Sequence, residues 1–262
     1  MQFYSRKPKG QRGLDFEDKF VRGLNGKRKT ELKGNLPDLV SRMFPGLGDQ
    51  DMILAQKADP RGKSDVSVFT PVGKAEISLK SLNGDIVHSS PNEKFMDYLR
   101  NQGMSEASIQ TILLYLYRDG TTDGSGGAKW PYEETMYRLS RRIADLNAEL
   151  NENPLFVQDI LDLALFRGNF PELPPANWLY HGSLESGIIV SRYQVSIWAM
   201  RVLKMDFVRN PHIGPLHIRP YIQNLSEKAI NRDKVDWLRL KWVGMDANLQ
   251  FIKERIPVRK RR

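Results

Sequence analysis

The residues best suited to catalysis in this sequence lie in two short neighbouring segments, 64–69 and 75–80. Both segments alternate polar and apolar residues and are rich in β-branched types, which predicts two strands. The Thr-Pro-Val-Gly sequence between them is typical of a turn, because proline and glycine interrupt regular structure. The sequence therefore predicts a β-hairpin.

One face of this hairpin carries the candidate chemistry. Successive strand residues point to opposite faces, so one face is apolar core and the other is polar. The residues of the polar face are Asp65, Ser67, Ser78 and Lys80. We expect Asp65 opposite Lys80, and Ser67 opposite Ser78. A carboxylate facing a lysine on a half-buried sheet is either part of an active site or a surface ion pair, which would contribute under about 1 kcal/mol.

A helix predicted from Leu14 carries a third candidate, Glu17. At about 100° per residue, Glu17 lies in the middle of an apolar arc. That arc consists of Leu14, Phe16, Phe20, Val21 and Leu24. A buried carboxylate is costly without a partner, so Glu17 is expected to face a cation, a metal ion or a network of hydrogen-bond donors. The alternative is a helix rolled slightly, so that Glu17 reaches water.

The order of these elements resembles the PD-(D/E)xK nuclease superfamily, the fold of many type II restriction endonucleases. Members have a glutamate on a helix, a strand that begins with aspartate, a hairpin turn, and a second strand that ends in acid-x-lysine. The corresponding residues here are Glu17, Asp65, Ser78 and Lys80. The resemblance covers residues 14–101.

Two residues depart from the family pattern. Ser64 stands in place of the usual proline before Asp65, and Ser78 stands where the second acid is expected. Family members with a neutral residue at that position remain active. Glu76 lies too far along the strand from Lys80 to replace the missing acid, so Glu17 is expected to supply the second carboxylate.

The resemblance implies Mg²⁺-dependent hydrolysis of phosphodiester bonds. Magnesium prefers oxygen ligands, which Asp65, Glu17 and the backbone carbonyl of Leu79 would supply. The ion would neutralise the phosphate and lower the pKa of a water molecule. Lys80 would orient or deprotonate that water and stabilise the charge on the phosphate.

The charge distribution favours a polyanionic partner. The 262-residue chain has a net charge of +9. Residues 1–34 hold ten Lys and Arg against four acids, residues 201–262 hold fifteen against six, and residues 121–175 hold five against nine. Two basic flanks favour a surface that binds nucleic acid, although an ordinary soluble basic protein is the alternative. The candidate DNA-binding residues are Lys63, Arg192, Arg219, Arg239 and Lys241, the last four on predicted strands.

Several other classes of site and location are excluded or disfavoured. The sequence has no cysteine, which excludes disulfides and thiolate metal sites, and no apolar run long enough for a membrane span. The first residues lack the apolar region of a secretory signal, so a cytoplasmic location is expected. Lys63 is not preceded by the first glycine of a P-loop, and the four histidines lack the pairing typical of zinc sites.

The sequence as a whole predicts an α/β protein with a restriction-endonuclease-like core, a mixed central sheet flanked by helices. The expected segments are an N-terminal arm and nuclease core (1–120), a linker and helical section (121–175), and a β-rich basic DNA-recognition region (176–262), or one continuous domain. The expected function is sequence-specific cleavage of double-stranded DNA, by a homodimer if the site is palindromic. The alternatives are a structure- or end-directed repair or recombination nuclease, and a non-catalytic DNA-binding protein on a nuclease fold.

Overall fold

A computed structural model of the chain describes residues 9–82, 84–201, 209–222 and 232–258. The protein is mixed α/β, as predicted, and it divides into two compact units. Unit 1 consists of residues 1–84, 165–197 and 245–262, and unit 2 consists of residues 85–164 and 198–244. Residues 120 and 175, where the sequence predicts segment boundaries, lie inside unit 2 and unit 1 respectively.

The described residues form eight α-helices and ten strands. The helices are α1 (Lys9–Leu24), α2 (Leu36–Met43), α3 (Asn92–Asn101), α4 (Glu106–Tyr117), α5 (Tyr132–Glu152), α6 (Pro154–Asp162), α7 (Arg192–Ala199) and α8 (Met245–Arg255). The strands are β1 (Lys27–Arg28), β2 (Met52–Lys57), β3 (Val66–Thr70), β4 (Gly73–Ser81), β5 (Ile86–Pro91), β6 (Trp178–Gly182), β7 (Gly187–Ser191), β8 (His212–Ile213), β9 (Leu216–Pro220) and β10 (Trp237–Trp242). None of these helices is both long and apolar enough to cross a membrane.

Unit 1 is built on a six-stranded mixed sheet of order β1-β2-β3-β4-β6-β7. Strands β4 and β6 are parallel, and the other neighbours are antiparallel. Helix α1 packs its apolar side on one face of this sheet, where Phe20 and Leu24 are fully buried and Phe20 contacts the ring of Tyr180. Leu14 is 48% exposed, so its predicted place in the buried arc is wrong. Residues 1–8 of the predicted arm lie outside the described residues.

The predicted hairpin is present and its turn lies in the predicted Thr-Pro-Val-Gly sequence, but the turn is centred one residue earlier than the expected cross-strand pairs imply. The turn consists of Pro71 and Val72 and closes at the pair Thr70–Gly73, where the Thr70 hydroxyl donates to the Gly73 carbonyl at 3.1 Å. Gly73 has a φ of 149°, a conformation that glycine adopts without the steric cost of a Cβ atom. Moving the turn by one residue moves the strand register by two, which preserves the predicted faces but changes the partners.

The new register overturns the expected cross-strand pairs. Ser67 lies opposite Glu76 rather than Ser78. Strand β3 begins at Val66, so Asp65 lies in the bend before the strand, and strand alternation does not fix the direction of its side chain. The prediction that Asp65 faces Lys80 directly across the hairpin is therefore wrong.

Unit 2 combines helices α3–α6 with a four-stranded antiparallel sheet of order β5-β10-β9-β8. The apolar residues at spacings of three and four in 133–150 predict an amphipathic helix, and helix α5 buries them: Met136, Leu139, Ile143, Leu146 and Leu150. Two helices begin at side-chain caps, Ser105 for α4 and Asn153 for α6. The Ser90-Pro91 sequence predicts a helix that starts at Pro91, but Pro91 ends strand β5 and helix α3 begins at Asn92.

The pattern of the last third predicts part of the secondary structure. The sequence predicts strands at 187–193, 216–223 and 235–243, and β7, β9 and β10 lie within these ranges, whereas it predicts neither β6 nor α8. The sequence of 196–207 is compatible with either a helix or a strand; it is helical to Ala199, and residues 202–208 lie outside the described residues. The four basic residues 259–262, which the sequence suggests as possible phosphate contacts, also lie outside them.

Glu76 fixes the hairpin to its surroundings. Its carboxylate accepts hydrogen bonds from the hydroxyls of Ser64 at 2.7 Å and Ser67 at 2.6 Å, and it pairs with the Lys74 ammonium at 2.5 Å. Its backbone N–H donates to Asn177 Oδ1 at 2.8 Å. Burial acts to raise the pKa of Glu76, but the hydrogen bonds from Lys74, Ser67 and Ser64 outweigh it and lower that pKa. Glu76 is thus a structural carboxylate.

Replacing Glu76 with Gln is expected to lower the free energy of unfolding by about 2 kcal/mol at neutral pH, because it removes charge-assisted hydrogen bonds. The pKa of Glu76 is lower in the folded protein, so its carboxylate stabilises the fold above its ordinary pKa, and this contribution is lost as the pH falls through the folded value. The difference between Glu76→Gln and the original protein should therefore shrink in acid. Urea denaturation at several pH values measures it, with the exposed Glu152→Gln as the control. If Glu76→Gln and Glu152→Gln were equally stable at neutral pH, the structural role of Glu76 would be contradicted.

Candidate functional site

One end of the sheet in unit 1 gathers acidic and basic side chains from four parts of the chain. Lys57 ends β2, Lys80 lies near the end of β4, and Lys63 and Asp65 lie in the loop before β3. Glu17 reaches the same place from α1. These five residues are called the acid–lysine cluster below.

Asp65 is held in place by the backbone of β4. Its N–H donates to the carbonyl of Ile77 at 2.8 Å, and its Oδ2 accepts a hydrogen bond from the Leu79 N–H at 2.6 Å. The carboxylate thus takes the place of a backbone acceptor where the β3–β4 ladder ends. Among the described residues, the other oxygen, Oδ1, accepts no hydrogen bond and is available to a ligand.

Glu17 faces this end of the sheet. Its side chain is 22% exposed, and its Oε2 lies 3.7 Å from the ammonium of Lys57, which also pairs with Asp18 at 2.8 Å. Burial, and then the negative charge of Asp65, raise the pKa of Glu17, while Lys57 acts in the opposite direction. The two predicted carboxylates therefore share one electrostatic environment and repel each other when both are ionised.

Two of the three lysines, Lys63 and Lys80, form the basic half of the cluster, whereas Lys57 pairs with Glu17 and Asp18. Burial, and then the positive charge of Lys80, lower the pKa of Lys63 to about 7, while Asp65 acts to raise it. The stem of Lys63 lies against the backbone of Gly168, where a Cβ atom would come within 2.8 Å of Lys63 Cγ. Lys80 forms no ion pair with the described residues, so the alternative of an Asp65–Lys80 surface ion pair is not observed.

Ser78 lies at the position where the resemblance expects a second acid. It is on the same face of β4 as Lys80, opposite to the face where Ile77 and Leu79 pack into the core. Ser78 is fully buried, and its hydroxyl has no hydrogen-bond partner among the described residues. Leaving a buried hydroxyl without a hydrogen bond costs free energy. A water molecule in the site would give the Ser78 hydroxyl the hydrogen-bond partner that it lacks.

Sequence reasoning missed a histidine beside Lys80. The parallel pairing of β4 and β6 places His181 next to Lys80, and His181 Nδ1 lies 2.8 Å from Asp246 Oδ1 of α8. No local pattern could reveal this contact, because it depends on two elements that were not predicted and that lie far apart in sequence. Sequence reasoning also missed Lys57 as a site residue. Strand β2 carries the apolar residues Met52 and Leu54 on its exposed face, so its sequence does not alternate between polar and apolar residues.

The predicted DNA-binding residues separate into different surroundings. Lys63 belongs to the acid–lysine cluster. Arg192 is the first residue of α7, so its predicted strand position is wrong. Lys241 pairs with Asp85 at 2.7 Å. Arg219 and Arg239 lie on β9 and β10 as predicted, where they are direct cross-strand partners.

Comparison with known proteins assigns no family to this chain: no family model matches it, and a search of curated proteins gives no match. Within the described parts of the chain, no group of three or more His, Asp or Glu side chains is arranged to hold a metal ion. A metal ion at this site would therefore depend on Asp65, Glu17 and backbone oxygens. The roles of these residues stay predictions.

Replacing Glu17 with Gln tests the repulsion between the carboxylates. A carboxylate whose pKa is raised by folding destabilises the fold when it is ionised, so this cost is present above the raised pKa and disappears in acid. Without added metal, the melting temperature of Glu17→Gln at neutral pH should be unchanged or higher by up to about 5 °C. The matched control is Asp18→Asn, which removes the same charge and a closer contact with Lys57. A larger loss of stability in Glu17→Gln than in Asp18→Asn would show that Lys57 attracts Glu17 more strongly than Asp65 repels it.

Proposed function

We propose that this chain is a Mg²⁺-dependent endonuclease that cleaves double-stranded DNA at a specific sequence, on a restriction-endonuclease-like core. The observation that supports it best is the double like-charge arrangement of the acid–lysine cluster. Glu17 and Asp65 lie within electrostatic range of each other, as do Lys63 and Lys80, and Lys57 pairs with Glu17 at 3.7 Å. Two neighbouring carboxylates attract a cation, and two neighbouring lysines attract an anion. A magnesium ion would be the cation, and the phosphodiester group of DNA would be the anion.

The donor set fits magnesium. Asp65 Oδ1, the Glu17 carboxylate and the carbonyl of Leu79 would hold the ion through oxygen, which this hard cation prefers. The Ser78 hydroxyl is buried and can hydrogen-bond a water molecule in the site. When bound, the ion neutralises the phosphate and lowers the pKa of a water molecule.

The side chains of the cluster position the substrate and the water. Lys63 contacts the phosphate oxygens, and Lys80 orients the attacking water and stabilises the charge that develops on the phosphate. The water oxygen bonds to phosphorus and the P–O3′ bond breaks. The products are a 5′-phosphate and a 3′-hydroxyl, which takes up a proton as the water loses one.

A non-catalytic DNA-binding protein on the same fold is the second candidate. Two observations favour it: Asp65 Oδ2 is already engaged by the Leu79 N–H, and Ser78 replaces an acid. A structure- or end-directed nuclease would use the same cluster on another form of DNA.

Incubation with plasmid and phage DNA separates these candidates. Discrete fragments with Mg²⁺, and none with EDTA, are expected for the proposed enzyme. A smear indicates a nuclease without sequence specificity, and cleavage confined to ends or branched substrates indicates a repair-type enzyme. Intact DNA that is nevertheless bound indicates the non-catalytic protein.

Lys80→Ala is expected to lower the cleavage rate at least about a hundredfold, because a group that acts on the attacking water contributes mainly in the transition state. DNA affinity, measured in EDTA, should stay close to that of the original protein. Lys19→Ala, which removes an exposed lysine from the same unit, is the control and should retain full cleavage. Equal losses of cleavage and affinity in Lys80→Ala would instead assign Lys80 to phosphate binding.

Added Mg²⁺ is expected to raise the melting temperature of the original protein, because an ion that binds only the folded state stabilises it by mass action. Glu17→Gln should respond less, and its cleavage should fall most at low Mg²⁺ concentration. Ca²⁺ serves as a second ion that reports binding without relying on cleavage. An unchanged response in the variant would remove Glu17 from the metal site.

A further inference from the structure

Unit 2 holds two arginines near the hydroxyl of one buried tyrosine. Tyr115 of α4 is 2% exposed, and its hydroxyl accepts a hydrogen bond from Arg219 Nη1 of β9 at 3.3 Å. Arg118, the residue that follows α4, lies within electrostatic range of the same hydroxyl. Burial raises the pKa of Tyr115, and the charges of Arg219 and Arg118 act in the opposite direction. The two half-buried guanidinium groups thus share one environment, which is called the Arg118–Arg219 site below.

The backbone of Arg118 has a conformation that disfavours an arginine. Its φ of 58° and ψ of 27° are left-handed, and within the described ranges it is the one non-glycine residue with a positive φ. Helices commonly place glycine at such an end, because a Cβ atom makes the conformation costly. The Arg118 N–H donates to the Leu114 carbonyl at 2.9 Å, and its carbonyl accepts from the Trp130 N–H at 2.5 Å. A glycine could form both bonds, so they give no reason for an arginine side chain at this position.

Neither guanidinium of the site forms an ion pair with an acid among the described residues. Arg118 Nε is buried and has no hydrogen-bond partner among them. Asp119, the nearest acid in sequence, accepts hydrogen bonds from the N–H and the hydroxyl of Thr121 at 3.0 and 2.8 Å. Glu133, at the start of α5, pairs with Arg209 at 3.0 Å. A buried donor without a partner costs free energy, and an anion bound at the site would remove that cost.

Two tyrosines complete the site. The guanidinium carbon of Arg219 lies 5.9 Å from the centre of the Tyr132 ring, and a cation beside an aromatic ring keeps its charge. The Tyr132 hydroxyl donates to Asn210 Oδ1 at 2.5 Å, which holds the ring in place. The Tyr115 hydroxyl accepts from Arg219, and its own proton has no acceptor in the part of the chain that the structure describes. This proton is available to a ligand.

The available groups of the site are all hydrogen-bond donors, and they select an oxyanion. Guanidinium N–H groups match the oxygens of a phosphate or a carboxylate in spacing and charge. A phosphate monoester carries a charge of about −1.5 to −2 at neutral pH and has three acceptor oxygens. A carboxylate carries one negative charge on two oxygens. Two guanidiniums and a phenol therefore fit the phosphate better.

We propose that Arg118, Arg219 and Tyr115 bind a phosphate dianion in unit 2. This site is separate from the acid–lysine cluster of unit 1, and it does not rest on the proposed endonuclease function. Inorganic phosphate and the 5′-terminal phosphate of a DNA strand present the same chemistry to it. A phosphodiester within a strand carries a single negative charge and is bonded to sugars on two sides, so it satisfies the site less well.

Thermal melting with inorganic phosphate tests the site in EDTA, with sodium chloride at matched ionic strength as the reference. A saturable rise in melting temperature of about 3 °C is expected for the original protein, because phosphate binds the folded state. Arg219→Gln and Arg118→Gly should each lose this rise. Arg141→Gln, which removes an exposed arginine from α5 of the same unit, is the control and should keep it.

Arg118→Gly also separates phosphate binding from folding. Glycine adopts the left-handed conformation without strain, so without phosphate this variant should be at least as stable as the original protein. Loss of the phosphate response in such a stable protein would therefore come from the missing guanidinium. A response to phosphate in Arg118→Gly equal to that of Arg141→Gln would overturn the proposal.

A second measurement identifies the source of the phosphate. Fluorescence anisotropy in EDTA compares a labelled duplex that has a 5′-phosphate with the same duplex ending in a 5′-hydroxyl. Roughly fivefold or greater preference for the 5′-phosphate, lost in Arg118→Gly, would assign the site to a DNA end. Equal affinities, together with the response to inorganic phosphate, would assign it to free phosphate.

The original protein would overturn the site if it neither responded to inorganic phosphate nor preferred the 5′-phosphate. That outcome leaves the endonuclease proposal standing, because the proposed cleavage depends on residues of unit 1. Conversely, a protein that never cleaves DNA but shows the phosphate response, and loses it in Arg118→Gly, supports this site and removes the endonuclease proposal.

Discussion

The hydrogen bond from the Leu79 N–H to the Asp65 carboxylate is the contact on which the candidate site depends. It occurs where the β3–β4 ladder ends, so it extends the ladder with a side chain instead of a backbone carbonyl. The bend that carries Lys63 and Asp65 is thereby tied to β4, close to Lys80 and within electrostatic range of Glu17. Together with the bonds from the Asp65 N–H to the Ile77 carbonyl and from Ser64 to Glu76, this contact fixes the loop before β3 relative to β4 and sets the direction of the Asp65 carboxylate.

The hairpin, its faces and the inward direction of Glu17 could be anticipated because they follow from local rules. Alternation identifies β3 and β4, and the helical wheel places Glu17 toward the sheet. The register could not be obtained in this way, because Thr70, Pro71, Val72 and Gly73 allow turns that differ by one residue. A shift of that size keeps every side chain on its face while changing its partner. The position of Asp65 just outside β3 is decided by its contact with Leu79, which no local pattern encodes.

Non-local pairing limits the rest of the sequence analysis. Strand β6 joins the sheet beside β4 after about a hundred intervening residues, and only that pairing brings His181 next to Lys80. Arg192 was placed on a strand because the apolar pattern of β7 runs up to it, yet the chain turns into a helix there. Arg219 and Arg239 were predicted correctly as strand residues. Their direct opposition depends on the register of β9 and β10, which the sequence of either strand alone does not determine.

Ser78 stands where the resemblance expects an acid, and the charges of the cluster favour a neutral residue at that position. The pKa of Glu17 is already raised by burial and by Asp65, so a third carboxylate at position 78 would increase the repulsion in the metal-free protein. Ser78 is also fully buried, where an ionised carboxylate would cost more than a hydroxyl. A serine keeps a polar oxygen on the face of Lys80 without adding that charge. The expected consequence is a fold that is less destabilised by repulsion among carboxylates than one with a third acid at position 78.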